Sequence, residues 1–98
     1  MREHRYFVYM ICSSSRHALY TGVSRSLSRR LYEHRHPEGG SQHFSAQYRT
    51  FRLVHFEVFQ WIHAAIQREK EIKGWRREEK DALITQNNPT WRDLMPEN

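Results

Sequence analysis

Tyr6-Phe7-Val8-Tyr9-Met10-Ile11-Cys12, then Ser13-Ser14-Ser15-Arg16-His17, then Ala18-Leu19-Tyr20-Thr21-Gly22-Val23, is the stretch that decides the fold. Its two flanks are aromatic and β-branched and its centre is polar and turn-like, which predicts a β-hairpin. With the loop centred on Ser14-Ser15, Tyr9 lies opposite Tyr20, and both phenols project from one face as cross-strand neighbours. Two hydroxyls then share one small site.

The chain that follows brings charge to the same place. Ser24 is a good N-cap, and Leu27, Arg30, Leu31 and His34 fall within one arc of roughly 100° on a wheel of 3.6 residues per turn. Arg29 points the other way. Of the two adjacent arginines, Arg30 is expected to flank the apolar stripe that packs on the sheet, and Arg29 to be solvated.

His36-Pro37-Glu38-Gly39-Gly40-Ser41 breaks the helical pattern and reads as a loop, with a short helical turn over Gln42 to Tyr48. Arg52 to Phe59 alternates, with Leu53, His55, Glu57 and Phe59 on one face and Val54, Phe56 and Val58 on the other, which predicts a third strand. From Trp61 to Lys73 the apolar positions Ile62, Ala65, Ile66 and Ile72 recur at helical spacing, and Gly74 is a stop signal. Glu69 falls within that stripe, where a carboxylate needs a cation, an Arg or Lys, or a route to water. Glu71 lies on the opposite face, so the asymmetry selects Glu69 as a candidate metal ligand. A third helix, Arg76 to Thr85, is charged and packs through Ala82, Leu83 and Ile84. The fold class is α/β of the α+β kind, a small three-stranded antiparallel sheet flanked by helices. Residues 1–98 form one domain, with a core at about 5–85 and a carboxy-terminal tail over 86–98.

Ninety-eight residues leave room for one modest core and no separate specificity domain, so recognition uses one face. Sixteen Lys and Arg against eleven Asp and Glu give a net charge of +5, which favours polyanionic partners such as nucleic acid. Cys12 is the lone cysteine, which excludes an internal disulfide framework and a cysteine-rich zinc site and fits a reducing cytoplasm. The apolar run Tyr6 to Cys12 is too short to span a membrane and lacks a small-residue cleavage pattern, so a soluble, unexported chain is expected. The seven histidines make no recognised ligand pattern for zinc. His55 reads as a strand surface residue and His63 as lying on the exposed side of its helix. His34 differs, lying one turn after Arg30 on the same face.

In these positions the chain resembles the GIY-YIG nucleases, in particular their small stand-alone bacterial members. Phe7-Val8-Tyr9 is similar to the first signature triplet and Tyr20-Thr21-Gly22 to the second. Arg30 and His34 match the family's helix positions, and Glu69, in Gln67-Arg68-Glu69-Lys70-Glu71-Ile72-Lys73, resembles its metal-binding glutamate. Asn88-Pro89-Thr90-Trp91-Arg92-Asp93-Leu94 is similar to the tails of the small members. There are two departures: Phe7 replaces the first triplet's glycine, and Val23 stands where some relatives carry lysine.

The resemblance implies an endonuclease that hydrolyses phosphodiester bonds, with Tyr9, Tyr20, Arg30 and His34 as catalytic residues. It implies a divalent ion on Glu69, Mg2+ or Mn2+, and a DNA substrate. Gly22, Arg29 and Asn88 are further candidate substrate contacts. Such hydrolysis needs a deprotonated water in line with phosphorus, positive charge on the non-bridging oxygens, and stabilisation of the leaving oxygen. Arg30 suits the phosphate, since a planar guanidinium matches oxyanions, and Tyr9 would orient a phosphate oxygen or the attacking water. As the family implies, Tyr20 is the candidate general base, yet a phenol's reference pKa is about 10, so roughly one in a thousand is ionised at neutral pH. Either Arg30 or the metal lowers that value, or His34 takes the proton instead.

Single-stranded or branched DNA in repair or processing, RNA, a specificity-giving partner protein and a dimer are all consistent with this reading. The alternative is a non-catalytic basic DNA- or RNA-binding protein, using aromatic residues such as Tyr48, Phe51, Trp75 and Trp91 for base stacking. It has no need of Glu69 among apolar neighbours. An adaptor protein is the third reading, distinguished by salt-insensitive association with nucleic acid.

Overall fold

The computed structural model describes residues 4–35 and 51–95, and of His34 and Arg35 the backbone alone. The loop expected over 36–41 and the helical turn expected over 42–48 lie outside the described residues. The elements are β1 (Tyr6–Cys12), β2 (Leu19–Ser24), α1 (Leu27–Arg35), β3 (Arg52–Phe59), α2 (Ile62–Lys73) and α3 (Arg77–Asn87). The sheet has the order β2-β1-β3, and β1 is antiparallel to both neighbours. The expected three-stranded antiparallel sheet with flanking helices is therefore the fold.

β1 is central, and its alternation feeds two cores. Val8, Met10 and Cys12 face α2 and α3, where they meet Ala65, Ile72, Ile84 and Trp91. Tyr9 and Ile11 face the other way and pack with Leu31 of α1, Phe51 and Leu53. A strand in the middle of a sheet covered on both sides is apolar at nearly every position, as this one is.

The hairpin register differs from the one expected. Tyr9 pairs with Gly22, and Tyr20 with Ile11. The loop closes between Ser13 and Ala18, whose backbone N–H and C=O meet at 3.0 Å, and the Ser13 hydroxyl accepts the Ala18 N–H at 3.2 Å. Arg16 supplies the left-handed residue of the turn, at φ 65°. The centre thus moves one residue beyond Ser14-Ser15. Because strand faces repeat every two residues, a shift of two leaves Tyr9 and Tyr20 on one face, diagonally offset rather than opposite.

β3 also departs from simple alternation. Met10 pairs with His55 and Ile11 with Leu53, so Val54 is an extra residue in a β-bulge. The bulge reverses the parity expected for the strand. Leu53 shares the α1 side with Phe56 and Val58, and Val54 joins His55, Glu57 and Phe59 on the α2 side. His55, expected at the surface, is 5 % exposed. It bonds Glu57 at 2.9 Å, and Glu57 in turn takes two hydrogen bonds from Arg68 of α2, at 2.8 and 3.1 Å.

Three further expectations need correction. Ser26, not Ser24, caps α1, since its hydroxyl accepts the Arg29 N–H, while the Ser24 hydroxyl accepts the Ser26 N–H one turn earlier. Ile62 and Ile66 stand partly in solvent on α2 and Ala65 and Ile72 carry its packing, because Arg68 and Trp75 complete the core-facing stripe. On α3, Ile84 is buried and Ala82 faces out.

The segment after α3 is built into the fold. Asn88 donates from Nδ2 to the Val54 and Arg92 carbonyls, and the Trp91 indole donates to the Thr85 hydroxyl at 2.9 Å. Asp93 accepts the Leu53 N–H, and Leu94 donates to the Leu53 carbonyl. The first half of the β3 edge is covered in this way. No described helix is long and apolar enough to cross a membrane.

Candidate active site

Tyr9 projects from the centre of the sheet towards β2, and Gly22 makes its position possible. A Cβ at position 22 would stand 2.5 Å from the Tyr9 hydroxyl and 2.7 Å from its Cζ, closer than any side chain can sit. The glycine is therefore the bed of the Tyr9 ring. Two features picked from separate triplets turn out to be one structural unit.

Charge converges on that phenol from two helices. Burial pushes the Tyr9 hydroxyl above the ordinary tyrosine value. Arg30 opposes the rise, and Glu69 and then Glu33 add to it. The field around the hydroxyl thus comes from one cation of α1, one carboxylate of α1 and one carboxylate of α2. Since the neutral form is favoured, Tyr9 keeps its proton at neutral pH.

Arg30 stands on α1 with its side chain 45 % exposed, against 82 % for Arg29, in the order expected from the helical wheel. Both reach Glu33: Arg30 Nη1 to Oε1 and Arg29 Nε to Oε2, each at 3.4 Å. Glu33 was not singled out from the sequence, although its spacing of three and four from the two arginines marks it as their partner. His34 belongs to α1, but its side chain lies outside the described residues.

Tyr20 stands half-exposed on the Tyr9 face, held edge-on against Phe51 with ring centroids 5.5 Å apart. Glu69 is 18 % exposed and pairs with Lys73 one turn on, at 3.1 Å. Glu71 is 54 % exposed and bonds Arg68, so the two carboxylates differ as their positions on the wheel require. Asn88 is 3 % exposed, with its carboxamide bonded to backbone that fixes the chain end. The structure seats Tyr9 on Gly22, leaves Arg30 and Glu69 as the leading charges acting on the Tyr9 hydroxyl, sets Tyr20 on the same face, and gives Asn88 a structural task. Cys12 offers no nucleophile, since it is buried and burial pushes its thiol pKa up.

Among the described residues no three His, Cys, Asp or Glu side chains gather into a metal cage. Glu69 can still serve a hard divalent ion, because Mg2+ characteristically keeps several waters and binds through one or two carboxylates together with substrate phosphates. The partly open carboxylate, held by a lysine ammonium that an ion can replace, fits that mode.

The model of the GIY-YIG catalytic domain matches residues 5–82. The chain belongs to the GIY-YIG family. It is 37% identical over 83 residues to a UPF0213 protein of Haloquadratum walsbyi, covering 85% of this chain and 89% of that one. It is 35% identical over 81 residues to a UPF0213 protein of Syntrophus aciditrophicus, covering 83% and 91%. A UPF0213 protein of Bacillus halodurans, solved by solution NMR, superposes with a TM-score of 0.55 at 25% identity over 86% of both chains. The resemblance to this nuclease family, whose substrate class is nucleic acid, is borne out.

Proposed function

We propose that this GIY-YIG domain is an active endonuclease that hydrolyses phosphodiester bonds in DNA, single-stranded or branched, in repair or processing in the cytoplasm. It uses Mg2+ or Mn2+ held by Glu69. The observation that carries the reading is the Tyr9 phenol seated on Gly22 with Arg30 and Glu69 as the leading charges in its field. Tyr9 packs in the core on the α1 side, yet charges from both α1 and α2 act on its hydroxyl.

In this scheme Arg30 leaves Glu33 for a non-bridging phosphate oxygen, forming a charge-assisted bond of the kind guanidinium makes well. The Tyr9 hydroxyl, protonated because of its burial, donates to the same phosphate and fixes its orientation. Tyr20 or His34 takes the proton from the attacking water as the new P–O bond forms and the bond to the leaving sugar oxygen breaks. Arg29, in solvent beside Arg30, adds positive potential along the incoming strand. When bound, the divalent ion supplies Lewis acidity towards the phosphate and the leaving oxygen.

The test is cleavage of labelled single-stranded, duplex and branched DNA and of RNA, with magnesium and with chelator, by wild type and Glu69→Ala. Magnesium-dependent cutting lost in the variant is the expected result. Binding that weakens with salt, with no cutting of any substrate, would instead make this a non-catalytic nucleic-acid binder.

A further inference from the structure

On the β3 side of the Tyr9 face lies a cleft of about 380 Å³, walled by Phe7, Leu53 and Phe56 of the sheet, by Arg25 and Leu27 at the start of α1, and by Met95. That volume is at the lower end of the range for small-ligand sites. Its placement is informative. Phe56 is the β3 partner of Tyr9, and Phe7 is the next residue of β1 on the Tyr9 face. Phe7 and Phe56 meet edge to face with centroids 6.2 Å apart, and Phe56 remains 39 % exposed.

Single exposed phenylalanines are ordinary, but an aromatic pair that walls a concave site one strand from the candidate catalytic tyrosine is not explained by packing. Phe7 also occupies the position where the family triplet has glycine. The wall it builds with Phe56 is thus a property of this chain rather than of the signature.

We propose that this cleft is a nucleobase subsite, which takes one unpaired base of the substrate strand against Phe56, with Arg25, which lines the cleft and whose guanidinium lies 5.9 Å from the Tyr6 ring centroid, supplying positive charge for that strand's phosphate. The proposal rests on the reading of the chain as a nucleic-acid enzyme and deepens it. An aromatic wall in a largely apolar cleft, with Ser26 and Ser28 also in its lining, suits the face of a base, which is hidden within a duplex and accessible in a single strand. Arg25 and the +5 net charge complement a polyanion. A subsite of this kind favours single-stranded substrate, or a base displaced from a duplex, without reading sequence.

The experiment measures binding of a short labelled oligothymidylate, and of the same strand in a duplex, in chelator so that cleavage plays no part. Phe56→Ala alters an exposed side chain and is expected to weaken single-strand binding about tenfold, leaving duplex binding and the salt dependence as in wild type. Phe56→Tyr should keep wild-type affinity, because the stacking face survives. Arg25→Ala should lower the slope of log affinity against log salt by about one.

Unchanged single-strand affinity in Phe56→Ala, or equal loss for single strand and duplex, would overturn the subsite. So would sedimentation showing a dimer that Phe56→Ala dissociates, since the cleft would then be an interface between copies. Loss of binding in Phe56→Ala from a wild type that cuts nothing would retain the subsite and remove the nuclease. Cutting that needs Glu69 but is indifferent to Phe56 would do the reverse.

Discussion

The two faces of the sheet use the same residue types to opposite ends. On the α2 side, Arg68 holds Glu57 with two hydrogen bonds across eleven residues of sequence, Glu57 is anchored by buried His55, and the guanidinium lies 5.2 Å over the Trp75 ring. On the α1 side, Arg30 makes, among the described residues, one 3.4 Å contact, with Glu33 of its own helix, and stays half in solvent. The first arginine joins two elements and is saturated, and the second is held loosely enough to exchange partners. An Arg–Glu pair that ties elements together is architecture, whereas one that spans a single turn beside a buried phenol is, in the proposed scheme, the one that gives way to a phosphate.

The sharpest way to break this comparison is to truncate both arginines. Arg30→Ala should lower the cleavage rate by roughly a thousandfold, the scale seen when one preorganised transition-state donor is lost, with unchanged folding stability. Arg68→Ala should do the opposite. It leaves Glu57 partly buried without its cation, which costs about 2 kcal/mol after allowance for the solvent reaching the pair, read from the midpoint of urea unfolding. Equal effects of the two on rate and on stability would mean that the faces are not functionally distinct.

Gly22→Ala comes next in size. In an ordinary strand the added methyl would be neutral or mildly stabilising. Here it meets the Tyr9 ring, which is itself packed among Ile11, Leu31, Phe51 and Leu53 and has little room to retreat. Displacing the phenol by about an ångström should cost about a hundredfold in rate. Wild-type activity in Gly22→Ala would show that the seat of Tyr9 is packing alone.

The α2 side has its own signature in acid. Burial by itself would raise the Glu57 carboxyl, but hydrogen bonds from Arg68 and His55 outweigh it and hold the group below the usual carboxylate range. Since the unfolded chain returns to about 4.3, it takes up the proton first as the pH falls. The contribution of Glu57 is therefore complete above the unfolded value and is lost on acidification through the lowered folded value. Unfolding midpoints between neutral pH and pH 3 should show this loss in wild type and a flatter profile in Glu57→Gln, while Arg30→Ala keeps the wild-type slope.

How much of this is legible in sequence depends on the kind of information involved. β1 and β3 can be read to the residue, because long aromatic and β-branched runs bounded by polar ones have one reading. The shared face of Tyr9 and Tyr20 survives an error of two in register, and the contrast between Glu69 and Glu71 needs only helical geometry. The register itself depends on a left-handed Arg16, a residue with no preference for that conformation, so nothing local announces it. The bulge at Val54 reverses the faces of the rest of β3, and with them the burial of His55, and it too leaves no mark on the alternation. Nor could the pattern show Trp91, at φ 56°, turning back into the core beneath α3. Local periodicity finds elements and faces. Contacts between distant segments are settled only when the chain closes.

The smallest predicted effect is the most discriminating about Glu33. Its carboxylate stands 3.4 Å from each of Arg29 and Arg30 and also contributes to the raised Tyr9 value, so under the proposed function it would compete with a phosphate for the two arginines. Exposed pairs of this spacing are worth less than about 1 kcal/mol, so removing the charge should have a modest consequence. Glu33→Gln is expected to tighten nucleic-acid binding in chelator by about threefold, with a slightly steeper salt dependence, because two arginines are released from an internal anion. The cleavage rate at saturating substrate should hardly change, since in the bound state the phosphate has already displaced Glu33. If Glu33→Gln instead reduces cleavage as severely as Glu69→Ala, Glu33 is a second carboxylate of the metal site rather than a placeholder for the phosphate, and the loose pair on the α1 face belongs to the machinery in its own right.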